Sequence, residues 1–429
     1  MTITGRVPLL LLAGVLPVVL RPSLGTTWAW VGLVLLAVGL DWLLAPRPAV
    51  LELTRSEDPR IRLGETATTE LRVASTSTRR LRGIVRDAWQ PSAGATWNRH
   101  PLRLGPHGAT VLRTGLEPVR RGDLRAVGVT VRLLGPLGLA ARQRTVVVPG
   151  AVRALPPFAS RKHLPSRLAR LRELDGRAAV RVRGQGTEFD SLREYVRGDD
   201  VRSIDWRASA RNRNVVVRTW QPERDRRVVL VLDTSRTSAG RVGDVPRLDS
   251  AMDAALLLAA LASRAGDRVD FLAGDRRVRS RLRLSGGEVI GPLQDAMSGL
   301  DPVIAEADWS GLAGALGELG RQRALVVLLT PLEPSAVEEG LLPVLPVLAA
   351  RHRVVLASVR DPALEEMAGT LDSVEDVYAA AAAEQVLTRR RRTADVLGAL
   401  GVDIVDVDGE QLPPALADHY LSLKARGLL

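Results

Sequence analysis

The sequence contains no cysteine, and it is poor in several other residues that carry chemistry. Disulfide bonds, zinc–cysteine sites and cysteine nucleophiles are therefore excluded. The five histidines are scattered without the spacing of metal ligands, so no histidine metal site is expected. Three tyrosines and three phenylalanines leave few rings on which bases can stack. The net charge of +12 comes from arginines spread along the chain, and we expect no nucleic-acid partner.

The rest of the composition is typical of a globular protein with a membrane part. A chain of 429 residues has room for two or three domains. Hydrophobic residues make up 46% of it and charged residues 25%, which excludes a disordered chain. We divide the chain into four parts, with limits at residues 1–46, 47–157, 158–226 and 227–429.

Two apolar runs at the N-terminus predict a transmembrane helical hairpin within residues 1–46. Residues 7–20 contain no charge, and residues 27–45 contain only Asp41. A spanning helix needs roughly 20 apolar residues, which the second run supplies and the first approaches. Trp28, Trp30 and Trp42 lie at the ends of the second run, where interfacial anchors are expected. A signal peptide is disfavoured, because no small-residue cleavage site precedes the second run.

The distribution of arginine predicts the orientation of this hairpin. Arg47, Arg55, Arg60 and Arg62 follow the second run, whereas Arg21 alone lies in the turn. By the positive-inside rule, the residues after the hairpin lie in the cytoplasm. The predicted location is the cell membrane, with two helices in contact with lipid and the soluble domains cytoplasmic.

Residues 47–157 predict a β-sandwich-like module. Apolar and polar residues alternate in short runs, and glycine and proline separate these runs at the spacing of a small sandwich. Residues 135–140 are expected to form a corner. Nothing in the module is typical of catalysis, so we interpret it as a spacer or docking module near the bilayer.

Residues 227–429 predict an α/β domain built on a doubly wound parallel sheet. Residues 227–233 form a continuous apolar run, as buried parallel strands do, and predicted helices and strands alternate after it. Ligands of such sheets bind at the carboxyl ends of the strands. Asp233 lies at that end of the first strand, and Ser235 and Thr237 follow it.

The segment 158–226 combines charged and aromatic residues at high density. Its distinctive residues are Gly184, Gly186, Glu188, Phe189, Arg193, Tyr195, Gly198, Asp199, Asp200, Arg202, Asp205, Trp206, Ser209 and Arg211. One interpretation is a binding or active site that uses the acids. The other is a network in which arginines hold carboxylates through paired hydrogen bonds and fix an irregular segment. The sequence alone leaves both open.

In type and order, these residues resemble the signature of the DUF58 family, most strongly over residues 184–211. The resemblance implies a C-terminal von Willebrand factor A-like domain behind a membrane anchor. It also implies a MoxR-type AAA+ ATPase as partner, with a client protein as the third component.

The pattern Asp233-x-Ser235-x-Thr237 resembles the metal-ion-dependent adhesion site of von Willebrand A domains, which implies Mg²⁺ as a cofactor. Hard oxygen ligands of this kind suit Mg²⁺. The family's remaining threonine and aspartate fall at Ala307 and Pro331, which supply no ligand side chain. The other interpretation is that the three residues cap the following turn without an ion.

We therefore expect a membrane-anchored interaction module or adaptor that acts through a degenerate adhesion site. The alternative is a metal-assisted hydrolytic enzyme with its site around Glu188, Asp205 and Asp233. The adaptor is favoured because no nucleophile–base pair stands out in the sequence.

Overall fold

The structure is a computed structural model that describes residues 2–56, 58–181, 188–197, 199–211, 214–221, 226–284, 288–320 and 322–429. The chain divides into two compact units, Met1–Pro157 and Phe158–Leu429. The finer domain limits given above stay predictions.

The first unit opens with three apolar helices: α1 (Arg6–Ala13), α2 (Val15–Leu20) and α3 (Leu24–Leu44). The Ser23 hydroxyl accepts the backbone N–H of Thr26 at 3.1 Å and so caps the start of α3. Within the described residues, Leu24–Val50 is the one segment long and apolar enough to cross a membrane, by length and composition. The Arg6–Leu20 segment is shorter, and a second spanning helix stays a prediction.

A break at Gly14 lets the first helices pack against α3. The Gly14 N–H bonds the carbonyl of Leu11, so the carbonyl of Leu10 accepts the Trp30 indole N–H instead, at 3.0 Å. A Cβ on Gly14 would lie 2.3 Å from Trp30 Cδ1, a distance that only glycine avoids. Trp30 thus supplies a donor to the Leu10 carbonyl, which the break in the helix leaves without the Gly14 N–H.

Two sheets form the β-rich part of the first unit. Strands β1, β3, β5, β7, β9, β10 and β11 make a seven-stranded sheet, and β2, β4, β8 and β6 make a four-stranded one. The strands are β1 (Thr2–Ile3), β2 (Leu51–Arg55), β3 (Arg60–Arg62), β4 (Ala67–Ser75), β5 (Leu81–Trp89), β6 (Ala95–Thr96), β7 (Arg99–Leu104), β8 (Ala109–Leu116), β9 (Gly122–Leu134), β10 (Ala140–Val146) and β11 (Ala151–Leu155). Leu71 and Val73 of one sheet share a core with Leu81, Val85 and Leu133 of the other.

A buried ion pair joins these two sheets. The Arg55 guanidinium on β2 donates two hydrogen bonds to the Asp87 carboxylate on β5, at 2.7 and 3.0 Å. The Trp89 indole donates a third at 3.0 Å, and the Arg55 guanidinium lies 4.8 Å from the centre of its ring. Burial raises the pKa of the Asp87 carboxyl, but the hydrogen bonds from Arg55 and Trp89 outweigh it and lower the pKa below its ordinary value.

The turn predicted at residues 135–140 contacts both ends of the apolar segment 6–44, just before α1 and at the end of α3. The carboxylate of Asp41, near the end of α3, is fully buried and accepts the backbone N–H groups of Leu137, Leu139 and Ala140 at 2.7 to 2.8 Å. On the other side, β1 pairs with β10, and the Thr4 N–H bonds the carbonyl of Leu139 at 2.9 Å. The start of α1 and the end of α3 therefore contact one turn.

The second unit contains a six-stranded sheet in the order β18-β17-β14-β19-β20-β21, parallel except for the edge strand β18. A separate antiparallel ribbon is formed by β12 and β13. The strands are β12 (Glu188–Glu194), β13 (Val216–Gln221), β14 (Arg227–Asp233), β15 (Arg241–Val242), β16 (Val245–Pro246), β17 (Arg268–Gly274), β18 (Val278–Leu284), β19 (Leu325–Leu329), β20 (Arg353–Arg360) and β21 (Asp403–Asp408).

Helices cover both faces of this sheet, so the mixed α/β architecture is confirmed. Val228 and Leu230 pack in one core with α6 and α13, whereas Val229 and Val231 pack in the other with α8 and α10. The helices are α4 (Leu164–Arg181), α5 (Trp206–Ser209), α6 (Arg247–Arg264), α7 (Ile290–Ser298), α8 (Trp309–Leu319), α9 (Pro334–Ala336), α10 (Leu345–Arg351), α11 (Ala363–Gly369), α12 (Val374–Ala399) and α13 (Leu412–Ala425). Burial on two faces explains why β14 is continuously apolar.

The contacts at the corner predict the topology of the apolar segment. Because both of its ends contact one turn, we expect the Ser23 turn on the opposite, external side of the membrane. The chain has no cysteine, so Ser23→Cys introduces a single thiol. A membrane-impermeant maleimide should label this thiol on intact cells, whereas Thr78→Cys in the β-rich part should react only after lysis. Labelling of Thr78→Cys but not of Ser23→Cys on intact cells would show the opposite orientation. Protection of both thiols on intact cells would contradict an external Ser23 turn.

The buried pair predicts how the first unit depends on pH. Because the pKa of Asp87 is lower in the folded state than in the unfolded state, its stabilisation is complete above the unfolded value. That stabilisation is lost as the pH falls through the folded pKa. Asp87→Asn should lower the free energy of unfolding by about 3–5 kcal/mol, measured by hydrogen exchange of β4 and β5 peptides.

Asp123 is the matched control, because its ion pair with Arg153 is exposed. We expect Asp123→Asn to cost less than about 1 kcal/mol. An equal decrease in the free energy of unfolding for the two variants would show that burial does not set how much the Asp87 ion pair stabilises the first unit.

Candidate functional site

The carboxyl ends of three adjacent parallel strands meet at Asp233. This residue ends β14, and Asp275 and Thr330 follow directly on β17 and β19, the two strands that pair with β14. The Asp233 side chain is almost fully buried, with 1% of the residue exposed. The edge of the sheet where such folds bind ligands is therefore built around one buried carboxylate.

Protein donors surround the Asp233 carboxylate. Its Oδ1 accepts the backbone N–H of Ser235 at 2.7 Å, and its Oδ2 accepts the hydroxyls of Thr330 at 2.7 Å and Thr237 at 3.2 Å. The hydroxyls of Ser235 and Thr237 are 3.0 Å apart. Burial raises the pKa of the Asp233 carboxyl, although the hydrogen bonds from Thr330 and Ser235 act in the opposite direction.

Two residues of this edge were missed by sequence reasoning. Thr330 stands directly before Pro331, the residue at which the aspartate of the adhesion motif was sought. Asp275 accepts the Thr234 hydroxyl at 2.8 Å and Arg279 Nε at 2.7 Å, and so fixes the start of the loop after β14. Both follow the end of a buried strand, and that position is the signal by which they could have been found.

A pocket of about 310 Å³ opens beside this network. Ala307 and Pro331, the two positions where ligands of the adhesion motif are missing, both line it. Trp309 forms an apolar wall. The Arg236 guanidinium, also part of the lining, is ion-paired with Glu306, and both side chains are about half exposed. The pocket is thus lined by hydroxyls and apolar groups, with the Arg236–Glu306 pair and the carboxylates of Asp233 and Glu339 as its charged groups.

Arg390 holds the strands beyond the pocket together. It lies on α12, is 7% exposed, and donates to both oxygens of Asp406 at 2.6 and 2.8 Å. It also donates to the Ser358 hydroxyl at 2.8 Å and to the carbonyl of Leu332 at 3.0 Å. One guanidinium therefore links β20, β21 and the loop that carries Pro331, and keeps the pocket wall in place.

The side chains around Asp233 fit Mg²⁺ poorly. The Ser235 and Thr237 hydroxyls have the separation expected of adjacent octahedral ligands, about 3 Å for metal–oxygen distances near 2.1 Å. However, the Asp233 carboxylate is already occupied by protein donors. Within the described part of the chain, no cluster of three or more His, Cys, Asp or Glu side chains could hold a metal ion. The bonds of Asp233 to Ser235 and Thr237 agree with the capping interpretation of the loop, and the Thr330 hydroxyl adds a donor from the neighbouring strand end.

The acids of the DUF58-like segment bind within the segment itself. Asp199 accepts Arg193 at 2.6 Å, and Asp205 accepts Arg218 at 2.8 Å. Asp200 accepts the backbone N–H of Arg202 at 2.9 Å. Asp205 does not line the pocket beside Asp233. The described residues thus support local pairing of these acids.

The remaining residues of that segment have backbone roles or lie at its surface. The Tyr195 N–H bonds the Val215 carbonyl at 2.8 Å, and the Ser209 hydroxyl accepts the Val216 N–H at 2.9 Å. Trp206 and Arg211 are exposed. Glu188 and Phe189 pair through their backbones with Gln221 and Trp220 on β13. The side chains of Glu188 and Phe189 lie outside the description, as do Gly184, Gly186 and Gly198.

Comparison with known proteins gives one family. Residues 191–396 match the model of the family described as "Protein of unknown function DUF58". The DUF58 resemblance is confirmed over these residues. The match includes the ribbon from residue 191 onwards, the Asp233 pocket and most of α12. Gly184, Gly186, Glu188 and Phe189 precede it.

The similar proteins are more distant. Uncharacterized proteins of Mycobacterium tuberculosis (strain H37Rv) and Mycobacterium bovis are 28% identical over 194 residues, which is 42% of this chain and 57% of theirs. The chain thus matches little more than half the length of these relatives. The CARDB domain of a Pyrococcus furiosus protein, solved in complex with di-metal ions, is 15% identical with a TM-score of 0.18. That match covers 25% of this chain and 90% of that domain, and at this score it carries no argument.

The contacts of Asp233 predict which hydroxyl stabilises this edge. Thr330→Val keeps the shape of the side chain but removes a donor from a buried carboxylate oxygen. We expect it to lower the free energy of unfolding of the second unit by about 1–3 kcal/mol, measured by hydrogen exchange of β14 and β19 peptides. Ser335→Ala, at an exposed position of the pocket lining, is the control and should have almost no effect. Equal exchange in the two variants would contradict a role for Thr330.

Proposed function

We propose that this chain is a membrane-anchored protein-interaction module, and that the pocket beside Asp233 is its docking site for a partner protein. The observation that carries the proposal is the network of Asp233, Ser235, Thr237 and Thr330, which lines an open pocket at the carboxyl edge of the sheet. This network fixes the pocket before any partner arrives. A preformed site binds with a smaller loss of conformational entropy.

The fold supports a von Willebrand A-like interpretation of the second unit. Its sheet has helices on both faces, and the Asp-x-Ser-x-Thr loop follows the central strand β14 at the edge where such sheets bind ligands. The site is degenerate, because Ala307 and Pro331 line the pocket without offering ligands. We therefore propose docking that does not require Mg²⁺, in which polar groups of the partner bond the exposed Ser335 hydroxyl and the half-exposed Arg236–Glu306 pair at the rim.

The DUF58 resemblance supplies the class of partner. It implies a MoxR-type AAA+ ATPase that binds this chain and acts on a client protein. The segment 6–44 would keep the module at the cytoplasmic face of the membrane, so that ATPase and client meet there. Anchoring the docking site at the membrane in this way raises the effective concentration of the ATPase and its client near each other.

A hydrolytic function has no comparable support among the described residues. Asp205 is bound to Arg218 and to the backbone of α5 and does not line the pocket, whereas Asp233 lines it and is held by Ser235, Thr237 and Thr330. General acid–base catalysis needs a group within hydrogen-bond reach of the reacting atoms. The described residues therefore do not bring Asp205 and Asp233 together in one site.

The proposal predicts that blocking the pocket weakens docking. Ser335→Trp places a large side chain at the exposed rim, and we expect at least about tenfold weaker binding of the MoxR-type ATPase, equivalent to about 1.4 kcal/mol. Binding would be measured by fluorescence anisotropy with the full chain in lipid nanodiscs. Gln385→Trp, on the exposed surface of α12, is the matched control.

The same measurement in the presence of a chelator tests the need for a metal ion. We expect unchanged affinity without divalent cations. Loss of binding on chelation, restored by Mg²⁺, would make the loop a working metal site. Equal binding by the two tryptophan variants and the unmodified chain would remove the pocket from the docking surface.

A further inference from the structure

The described part of the DUF58-like segment repeats one pattern every five residues: an apolar side chain followed by an arginine. The three pairs are Val196-Arg197, Val201-Arg202 and Trp206-Arg207. The apolar members are 61%, 60% and 67% exposed, and the arginines are exposed as well. We call residues 196–207 the apolar–arginine surface. Exposure of a tryptophan and two valines at regular steps is not accounted for by packing within the unit.

The aspartates between these pairs are held by the backbone and by other arginines. Asp199 accepts the Val196 N–H at 2.9 Å and pairs with Arg193. Asp200 accepts the Arg202 N–H, and Asp205 accepts the N–H groups of Arg207 and Ala208. An aspartate that bonds the backbone N–H two residues further on forms an Asx turn. Asp200 and Asp205 form such turns and hold the backbone at Arg202 and Arg207 in place, whereas Asp199 bonds back to Val196.

This use of the acids leaves the surface with an excess of basic groups, because only one of its three aspartates, Asp200, has no arginine side chain as partner among the described residues. Arg197, Arg202 and Arg207 have no ion-pair or hydrogen-bond partner for their side chains among the described residues. Of the acids nearest to them in sequence, Asp199 pairs with Arg193 and Asp205 with Arg218. Glu194 and Asp200 keep their charge, since their hydrogen bonds come from the uncharged Asn214 amide at 2.6 Å and the backbone Arg202 N–H. The surface therefore combines unneutralised guanidinium groups with exposed apolar side chains.

A surface of this composition suits the boundary of an anionic bilayer. Tryptophan and valine gain by leaving water for the acyl boundary, while arginine keeps its guanidinium at the level of the phosphates. Each basic residue near an anionic membrane surface contributes about 1 kcal/mol, roughly a fivefold effect on binding. An acidic protein would match the charge, but it would not by itself explain the alternation of tryptophan and valine with arginine.

We propose that the apolar–arginine surface binds the anionic lipid headgroups of the membrane in which this chain is anchored. The proposal rests on the membrane anchoring proposed above, because the anchor keeps the surface close to lipid. It is separate from docking at the Asp233 pocket. Contact with anionic lipid would orient the second unit at the bilayer, and it would weaken as salt screens the charges.

A single spin label tests this contact, since the chain has no cysteine. Val201→Cys is labelled in the full chain and reconstituted into nanodiscs of phosphatidylglycerol or of phosphatidylcholine. We expect collisions of the label with a water-soluble nickel complex to decrease, and collisions with oxygen to increase, in the anionic nanodiscs only. Salt at about 0.5 M should reverse the change. A label at Gln385→Cys on α12 should report water in both lipids.

Charge variants separate this surface from a general effect of net charge. In the Val201→Cys chain, Arg197→Gln with Arg202→Gln should weaken the contact about thirtyfold and return the label to water. Arg389→Gln with Arg392→Gln removes the same charge from exposed positions of α12 and should change nothing.

The outcomes are distinguishable. Co-elution of the protein with nanodiscs, with a label that reports water in both lipids, would overturn the lipid contact and leave the anchoring intact. That result would favour an acidic protein as the occupant. Elution apart from the nanodiscs would overturn the anchoring and this proposal together. Loss of the signal in both pairs of charge variants would show that net charge, and not residues 196–207, makes the contact.

Discussion

Burial of the Asp233 carboxylate is the constraint on which the second unit depends most. A carboxylate removed from water is costly unless donors replace the water. Here the donors come from the loop after β14 and, through Thr330, from the neighbouring strand β19. The Asp233 side chain thereby joins the ends of β14 and β19. Arg390 likewise joins β21, through Asp406, to the loop that carries Leu332. The pocket lies at the edge that these contacts hold together.

The same solution recurs at other buried charges in the described part of the chain. Asp41 is satisfied by three backbone N–H groups, and Asp87 by Arg55 and Trp89. Arg353 grips both oxygens of Asp403 in the same way as Arg390 grips Asp406. A planar guanidinium with several donors can satisfy a whole carboxylate, which the point charge of lysine cannot do. The sequence contains only two lysines, Lys162 and Lys424, and arginine takes the structural role at these buried carboxylates.

The architecture follows from local pattern, whereas the site depends on contacts between distant residues. The apolar run 227–233 predicts a central strand and places Asp233 at its carboxyl end, as observed. Nothing around Thr330 marks it as the partner of a residue 97 positions earlier. In the arginine run 389–392, residues of identical chemistry differ in role, because only tertiary packing turns Arg390 inward. Residues 363–400 form two helices, since Ser373 starts a new helix by capping it.

The Asp41 contact has a mechanical consequence. Three hydrogen bonds fix the last turn of α3 to the turn before β10, and the cation–π contact of Arg142 with Trp42 adds a fourth attachment. No free linker separates the apolar helix from the sheet at this point. A change in the tilt of α3, as a thinner or thicker bilayer would impose, must therefore rotate β10 with it. In the membrane anchoring proposed above, the sheet would therefore respond to the thickness of the bilayer.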